Sequence, residues 1–183
     1  MASRDNWSLA KTGIVAGLVA LAAVTTIVIR VPIPATTGYF NIGDIFVILA
    51  GLWLGPWAGL AVGAFGPTMA DAIGFPVFIP ATMVTKGLEG FIAGLFGGGL
   101  RSNSLSRKVT GAIAAGFVLI VGYFLFEAFV YPIVGKVVPA FAITDVGAAI
   151  VELGPNTVQA VIGAIGGVAL WKAVSGIRLG GAS

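Results

Sequence analysis

The sequence predicts an all-α integral membrane protein, a bundle of six transmembrane helices, and three observations carry that prediction. Only 9% of its 183 residues are charged and 58% are hydrophobic, with a mean hydropathy of +1.06; a soluble domain covers its surface with about 25% charged residues. The apolar runs are continuous, without the strict two-residue alternation of membrane barrel strands. At roughly 20 residues per crossing, a chain of this length with short loops fits about six helices. It forms one membrane domain over 1–183, with no room for a separate soluble unit.

The elements follow in order. The first helix is expected over 10–30, uncharged from Thr12 to Ile29 and longer than a signal-peptide core, so it reads as a retained span. The loop "VPIPATTGYFNIG" leads to Asp44, read as a helix N-cap whose carboxylate takes up free amides, and to a short second helix over 44–54. Gly55-Pro56 ends it. A third helix over 57–75 is interrupted by Gly66-Pro67, and "PVFIP" turns the chain into a fourth over 81–100. The polar connector "RSNSLSRK" precedes a fifth over 109–134. A sixth is expected over 152–173, opened near Glu152 or by Pro155 in a first turn, where proline is tolerated. The 28 glycines, spread through the apolar segments, suit close backbone packing in lipid.

Charge sets the expected orientation. With six crossings, Arg4, Lys11, Arg101, Arg107, Lys108, Lys172 and Arg178 share one side, Arg30 and Lys136 take the other, and Lys86 lies within a span. Seven against two places both termini in the cytoplasm. The scattered cations form no nucleic-acid patch.

The chain has neither cysteine nor histidine, which removes disulfides, thiolate chemistry, haem or zinc sites built on those ligands, and catalytic triads. A phosphate-binding loop, HExxH and EF-hand patterns are absent from the sequence, so any ATPase must be another subunit. The reading is therefore not an enzyme, with no metal and no cofactor.

What remains is a handful of polar residues inside apolar segments. Asp71, Lys86, Glu89, Glu127, Asn156 and Gln159 are functional candidates because ionisable groups in a membrane cost a few kcal/mol or more each. In the expected topology they converge toward the outer face, where Tyr39, Phe40 and Asn41 of the first loop also lie. Such a polar pocket roofed by aromatics fits a small-molecule site. Each has a plainer alternative. Lys86 and Glu89 could neutralise one another, Asp71 could bridge helices, and Glu127 could reach the headgroups. Asn156 and Gln159 could join helices, and Tyr39 with Phe40 could form an interfacial aromatic belt.

The stretch "GYFNIGDIFVILAGLWLGPWAGLAVGAFGPTMADAIGFP", followed by "PATMVTKGLEGFIAGLFGG", resembles the substrate-binding S components of energy-coupling factor (ECF) vitamin transporters, in the riboflavin or hydroxymethylpyrimidine branch. The likeness covers about residues 38–99, and "GPNTVQAVIG" near the last helix agrees. The resemblance implies a component in the prokaryotic plasma membrane that captures a vitamin from outside. It also implies partnership with a transmembrane coupling subunit and two ATPase subunits. Substrate-binding residues are then expected at Tyr39, Phe40, Asn41, Lys86, Glu89, Glu127, Asn156 and Gln159, and partner docking at Gly13, Ala16 and Ala20 of the first helix. The polar set offers donors and acceptors for a heteroaromatic ring. A hydroxymethylpyrimidine or pyridoxine-type molecule is expected first and riboflavin second. The alternative is a self-contained secondary transporter using Lys86, Glu89 and Glu127 as a proton relay.

Overall fold

The structure is a computed structural model that describes residues 9–33, 36 and 38–176. Its helices are α1 (Leu9–Val28), α2 (Asp44–Leu54), α3 (Pro56–Gly74), α4 (Ile79–Gly97), α5 (Leu105–Leu125), α6 (Tyr131–Gly135) and α7 (Val146–Val174). A π-helical turn over Phe126–Val130 joins α5 to α6, so Leu105–Gly135 is one run of 31 residues. The result is six helical units, which fit a six-helix bundle. Three of them, α1, the α5–α6 run and α7, are long and apolar enough to cross a membrane. Arg4 and Arg178, two of the cations used in the orientation argument, lie outside the described residues.

α2 departs from a lipid-facing crossing. Eleven residues at 1.5 Å each span about 16 Å, roughly half the hydrocarbon thickness. Nine of them are buried, from Asp44 to Leu54, and Val47, Ile48, Leu52 and Trp53 join α1, α3 and α5 residues in the main core. Its neighbours come close because glycine faces it. A Cβ on Gly59 would overlap the Gly90 carbonyl, and one on Gly51 would overlap the same oxygen, so α2, α3 and α4 meet backbone to backbone. Gly55 then turns the chain from α2 into α3 at φ 105°, a conformation glycine adopts without strain.

Several boundaries differ from the sequence expectation, each for a local reason. α7 opens at Val146 because Asp145 caps it, its carboxylate accepting from the Ala148 amide at 2.8 Å. Pro155 therefore lies inside the helix rather than in its first turn, as Pro67 lies inside α3 without interrupting it. Proline in a membrane helix is tolerated where neighbours re-satisfy the freed carbonyl. α5 opens at Leu105, so the Ser106-Arg107-Lys108 end of the connector is helical. Lys108 is buried and donates to the carbonyls of Leu52 at 2.5 Å and Gly99 at 2.7 Å, capping the end of α2. Asp44 is not a cap: Gly43 holds that position with no side-chain bond.

The first loop contains a strand pair absent from the sequence reading, β1 (Arg30–Pro32) and β2 (Tyr39–Asn41), antiparallel with Val31 opposite Phe40. It lays the loop across the ends of α3 and α7.

Candidate functional site

At the end of the bundle that carries β2, a narrow cleft of about 20 Å³ lies between the first loop, α4, α5 and α7. Tyr39, Asn41, Glu127, Asn156 and Gln159 line it, together with Gly38, Phe78, Thr82, Tyr123 and Glu152. Five of the eight residues expected to bind substrate therefore share one cleft. Its lining is rich in acceptors: two carboxylates, three side-chain amides and the Thr82 and Tyr123 hydroxyls, which bond each other at 3.1 Å. Glu127 is 2% exposed, and its Oε2 has no hydrogen-bond partner among the described residues. A buried carboxylate oxygen left open at a cavity wall is an acceptor ready for a ligand donor.

The first loop closes over the cleft through three side-chain attachments. Thr36 donates to Glu152 Oε1. The Asn41 backbone N–H donates to Gln159 Oε1 at 2.8 Å, while Asn41 Oδ1 accepts from the Gly43 backbone amide at 2.8 Å and from the Thr26 hydroxyl at 3.2 Å. Tyr39 donates to Asp71 Oδ1. Burial, and then the Asp71 carboxylate, push the Tyr39 phenol above its ordinary pKa, so it stays protonated and keeps donating. The Arg30 guanidinium lies 4.5 Å from the Tyr39 ring and 4.8 Å from the Phe75 ring, adding a cation–π contact. Asp71 thus bridges α3 to the loop. Phe40 points elsewhere, into a surface groove with Pro32, Ile33, Pro155 and Val158, and does not line the cleft.

Lys86 and Glu89 are also outside the cleft lining. Both are fully buried, and Lys86 Nζ pairs with Asp44 Oδ1 at 2.5 Å and reaches Glu89 Oε2 at 3.7 Å. The partner missing from the sequence reading is therefore Asp44, 42 residues away and brought in by the packing of α2 on α4. Lys86 Nζ lies 5.4 Å from the centroid of the Tyr123 ring, and through that ring the buried triad touches the cleft wall.

The cleft residues the sequence reading missed are Gly38, Phe78, Thr82, Tyr123 and Glu152. Glu152 had a legible signal once α7 is known to start at Val146: residues 152, 156 and 159 are spaced four and three apart, one face of a helix. The placement of Glu127 depends on the π turn. Pro132 cannot donate to the Ala128 carbonyl, the wider turn forms over Phe126–Val130, and the Thr144 hydroxyl bonds the Glu127 carbonyl at 2.9 Å. Such turns recur at functional sites.

With this geometry in view, comparison with known proteins is decisive. A profile described as ECF-type riboflavin transporter, S component, matches residues 6–175. The chain belongs to the S-component family of ECF-type riboflavin transporters. It is also similar to a Pyrococcus woesei protein described as "Uncharacterized protein in gap 3'region", 37% identical over 142 residues, 78% of this chain and 86% of that one. As an S component the chain is a membrane protein and a vitamin-binding part of a transporter, with no catalytic family assigned to it.

One face of this S component is left uncovered by its own fold. α1 buries Val15, Leu18, Ala22, Ala23 and Thr26, whereas Gly13, Ala16, Gly17 and Ala20 are exposed on the other side. A Cβ on Gly13 or Gly17 would meet nothing within 4 Å. The three residues expected to dock a partner therefore lie on one smooth, open strip.

Proposed function

We propose that this S component captures riboflavin from the outer face of a prokaryotic plasma membrane, with both termini cytoplasmic. It passes the vitamin inward with a transmembrane coupling subunit and two ATPase subunits. The observation that carries the substrate is the acceptor-rich cleft, in a chain of the riboflavin-transporter family. Glu127, Glu152, Asn156 and Gln159 offer acceptors to a polyhydroxylated side chain, and the amides of Asn156 and Gln159 can donate to ring carbonyls. Tyr39, Phe78 and Tyr123 supply aromatic surface for a flat ring system. Lys86 and Glu89 act on the ligand indirectly, by fixing Tyr123 and the start of α2. Phe40 holds the loop against α7. The coupling subunit docks on the Gly13, Ala16 and Ala20 strip, where small residues permit close helix approach.

The narrowness of the cleft favours a single pyrimidine or pyridine ring as the second reading. Riboflavin fluorescence decides between them. The purified full chain should quench it stoichiometrically, and Gln159→Ala with Asn156→Ala should weaken binding by about tenfold or more, the loss of one or two hydrogen bonds to a buried ligand. Mass spectrometry of the small molecule that co-purifies gives an independent answer. No quenching, with saturable binding of hydroxymethylpyrimidine or pyridoxine, would replace riboflavin by the second reading. Uptake by cells lacking any ATPase partner would instead support a self-contained transporter.

A further inference from the structure

The cleft carries acidic groups and no basic one. Glu127 and Glu152 both face it, 2% and 4% exposed, and among the described residues no lysine or arginine lines it. The loop positions outside the described residues, Pro34, Ala35 and Thr37, are uncharged. Two cations stand behind the cleft walls, and both are engaged elsewhere. Lys86, 5.4 Å from the centroid of the Tyr123 ring, pairs with Asp44 at 2.5 Å. Arg30, 4.5 Å from the centroid of the Tyr39 ring, donates to the Ala70 carbonyl at 3.2 Å. The two carboxylates differ in what they hold. Glu152 Oε1 accepts from the Thr36 hydroxyl, and a Cβ on Gly38 would overlap that carboxylate, so the first loop lies directly on it. Glu127 Oε2 has no hydrogen-bond partner among the described residues. Two carboxylates in one site keep at least one negative charge between them, even where they share a proton.

We propose that this pair makes the cleft take the free vitamin and reject its phosphate monoester, with Glu127 and Glu152 as the specificity-determining residues. The inference rests on the reading of the cleft as the vitamin site and adds the charge class of its ligand. Hydroxyls of the free vitamin donate to the carboxylates. A phosphate monoester replaces one of those donors by a group of about −1.5 to −2 charge at pH 7 with acceptor oxygens alone. Like charges set together at a buried site weaken binding by about 100-fold or more. Such repulsion discriminates between two ligands that share every other contact.

The test uses the purified full chain in detergent and three ligands: riboflavin, riboflavin 5′-phosphate and, as a neutral control of similar bulk, riboflavin 5′-acetate. Fluorescence quenching gives each Kd. The phosphate should bind about 100-fold or more weaker than riboflavin, and the acetate should stay far closer to riboflavin than to the phosphate. Glu127→Gln with Glu152→Gln keeps the side-chain shape and removes the charge, so the phosphate-to-riboflavin Kd ratio should fall by about tenfold or more. The ratio is read because the same change also removes bonds to the vitamin. Asp145→Asn, at the same end but outside the cleft lining, should leave the ratio unchanged. Equal binding of riboflavin and its phosphate would overturn the proposal, as would an unchanged ratio in the double variant. Equal rejection of acetate and phosphate would make the discrimination steric, and an equal fall in Asp145→Asn would make it diffuse surface charge; both stand against the proposal. If the double variant does not fold by its thermal midpoint, the acetate comparison on the unaltered chain decides. If riboflavin itself does not bind, the riboflavin reading fails separately. Pyridoxine and hydroxymethylpyrimidine, each against its own phosphate by calorimetry, then decide the charge proposal, and binding by none of them would sink both.

Discussion

Replacing Lys86 with methionine separates a structural role for the buried triad from a ligand-binding one. The ammonium is the one cation among Lys86, Asp44 and Glu89, all 0% exposed, with Asp44 at 2.5 Å and Glu89 at 3.7 Å. Asp44 Oδ2 and both Glu89 oxygens have no hydrogen-bond partner among the described residues, so little else offsets the removal. Breaking a buried pair by deleting one partner costs about 3–5 kcal/mol, because the remaining charge stays buried and uncompensated. At about 2–4 °C per kcal/mol for a chain of this size, Lys86→Met should lower the melting midpoint by roughly 10 °C. Adding Asp44→Asn and Glu89→Gln removes both orphaned carboxylates and should restore more than half of that, since buried ions replaced as a unit are often neutral. The assay is thermal unfolding in detergent followed by size-exclusion chromatography, with riboflavin quenching measured on the folded fraction. A Lys86→Met protein with an unchanged midpoint and no riboflavin binding would refute this reasoning and make the ammonium a ligand group.

Three further outcomes follow from the geometry. Tyr39→Phe removes the bond to Asp71 that holds the first loop shut; a bond to a charged group is worth about 1.5–3 kcal/mol, so riboflavin should dissociate at least tenfold faster in stopped-flow quenching, with association less affected. Gly59→Ala should be destabilising by about 1–3 kcal/mol or more, because its Cβ overlaps the Gly90 carbonyl; Gly13→Ala, with open space around it, should melt within a few degrees of the unaltered chain. Ala16→Leu with Ala20→Leu should abolish uptake in cells containing the energising subunits while the purified variant binds riboflavin normally. An equal loss of binding would make that strip internal packing.

The sequence by itself determined the solvent and hence the architecture. A chain with 9% charged residues cannot cover itself with polar surface, and continuous apolar runs in lipid leave the α-helix as the way to satisfy every backbone group. It also marked half of the cleft lining, because a polar residue in an apolar helix stands out against its neighbours: Glu127, Asn156 and Gln159 were legible for that reason, and Tyr39 and Asn41 from the loop that precedes α2. Charge patterning alone gathered Lys11, Arg101, Arg107, Lys108 and Lys172 at one end. Which partner each buried charge takes was beyond its reach. Lys86 has Glu89 three residues away in the chain, yet its shorter contact is Asp44, 42 residues distant. That choice depends on Gly51, Gly59 and Gly90 letting α2, α3 and α4 approach until their backbones touch. The same holds for Lys108, whose sequence position reads as a surface cation and whose buried ammonium caps α2. Local pattern reports which residues dislike lipid. Only the packed bundle fixes distances of a few ångströms between segments far apart in the chain, and those distances decide which polar groups neutralise each other and which remain open to a ligand.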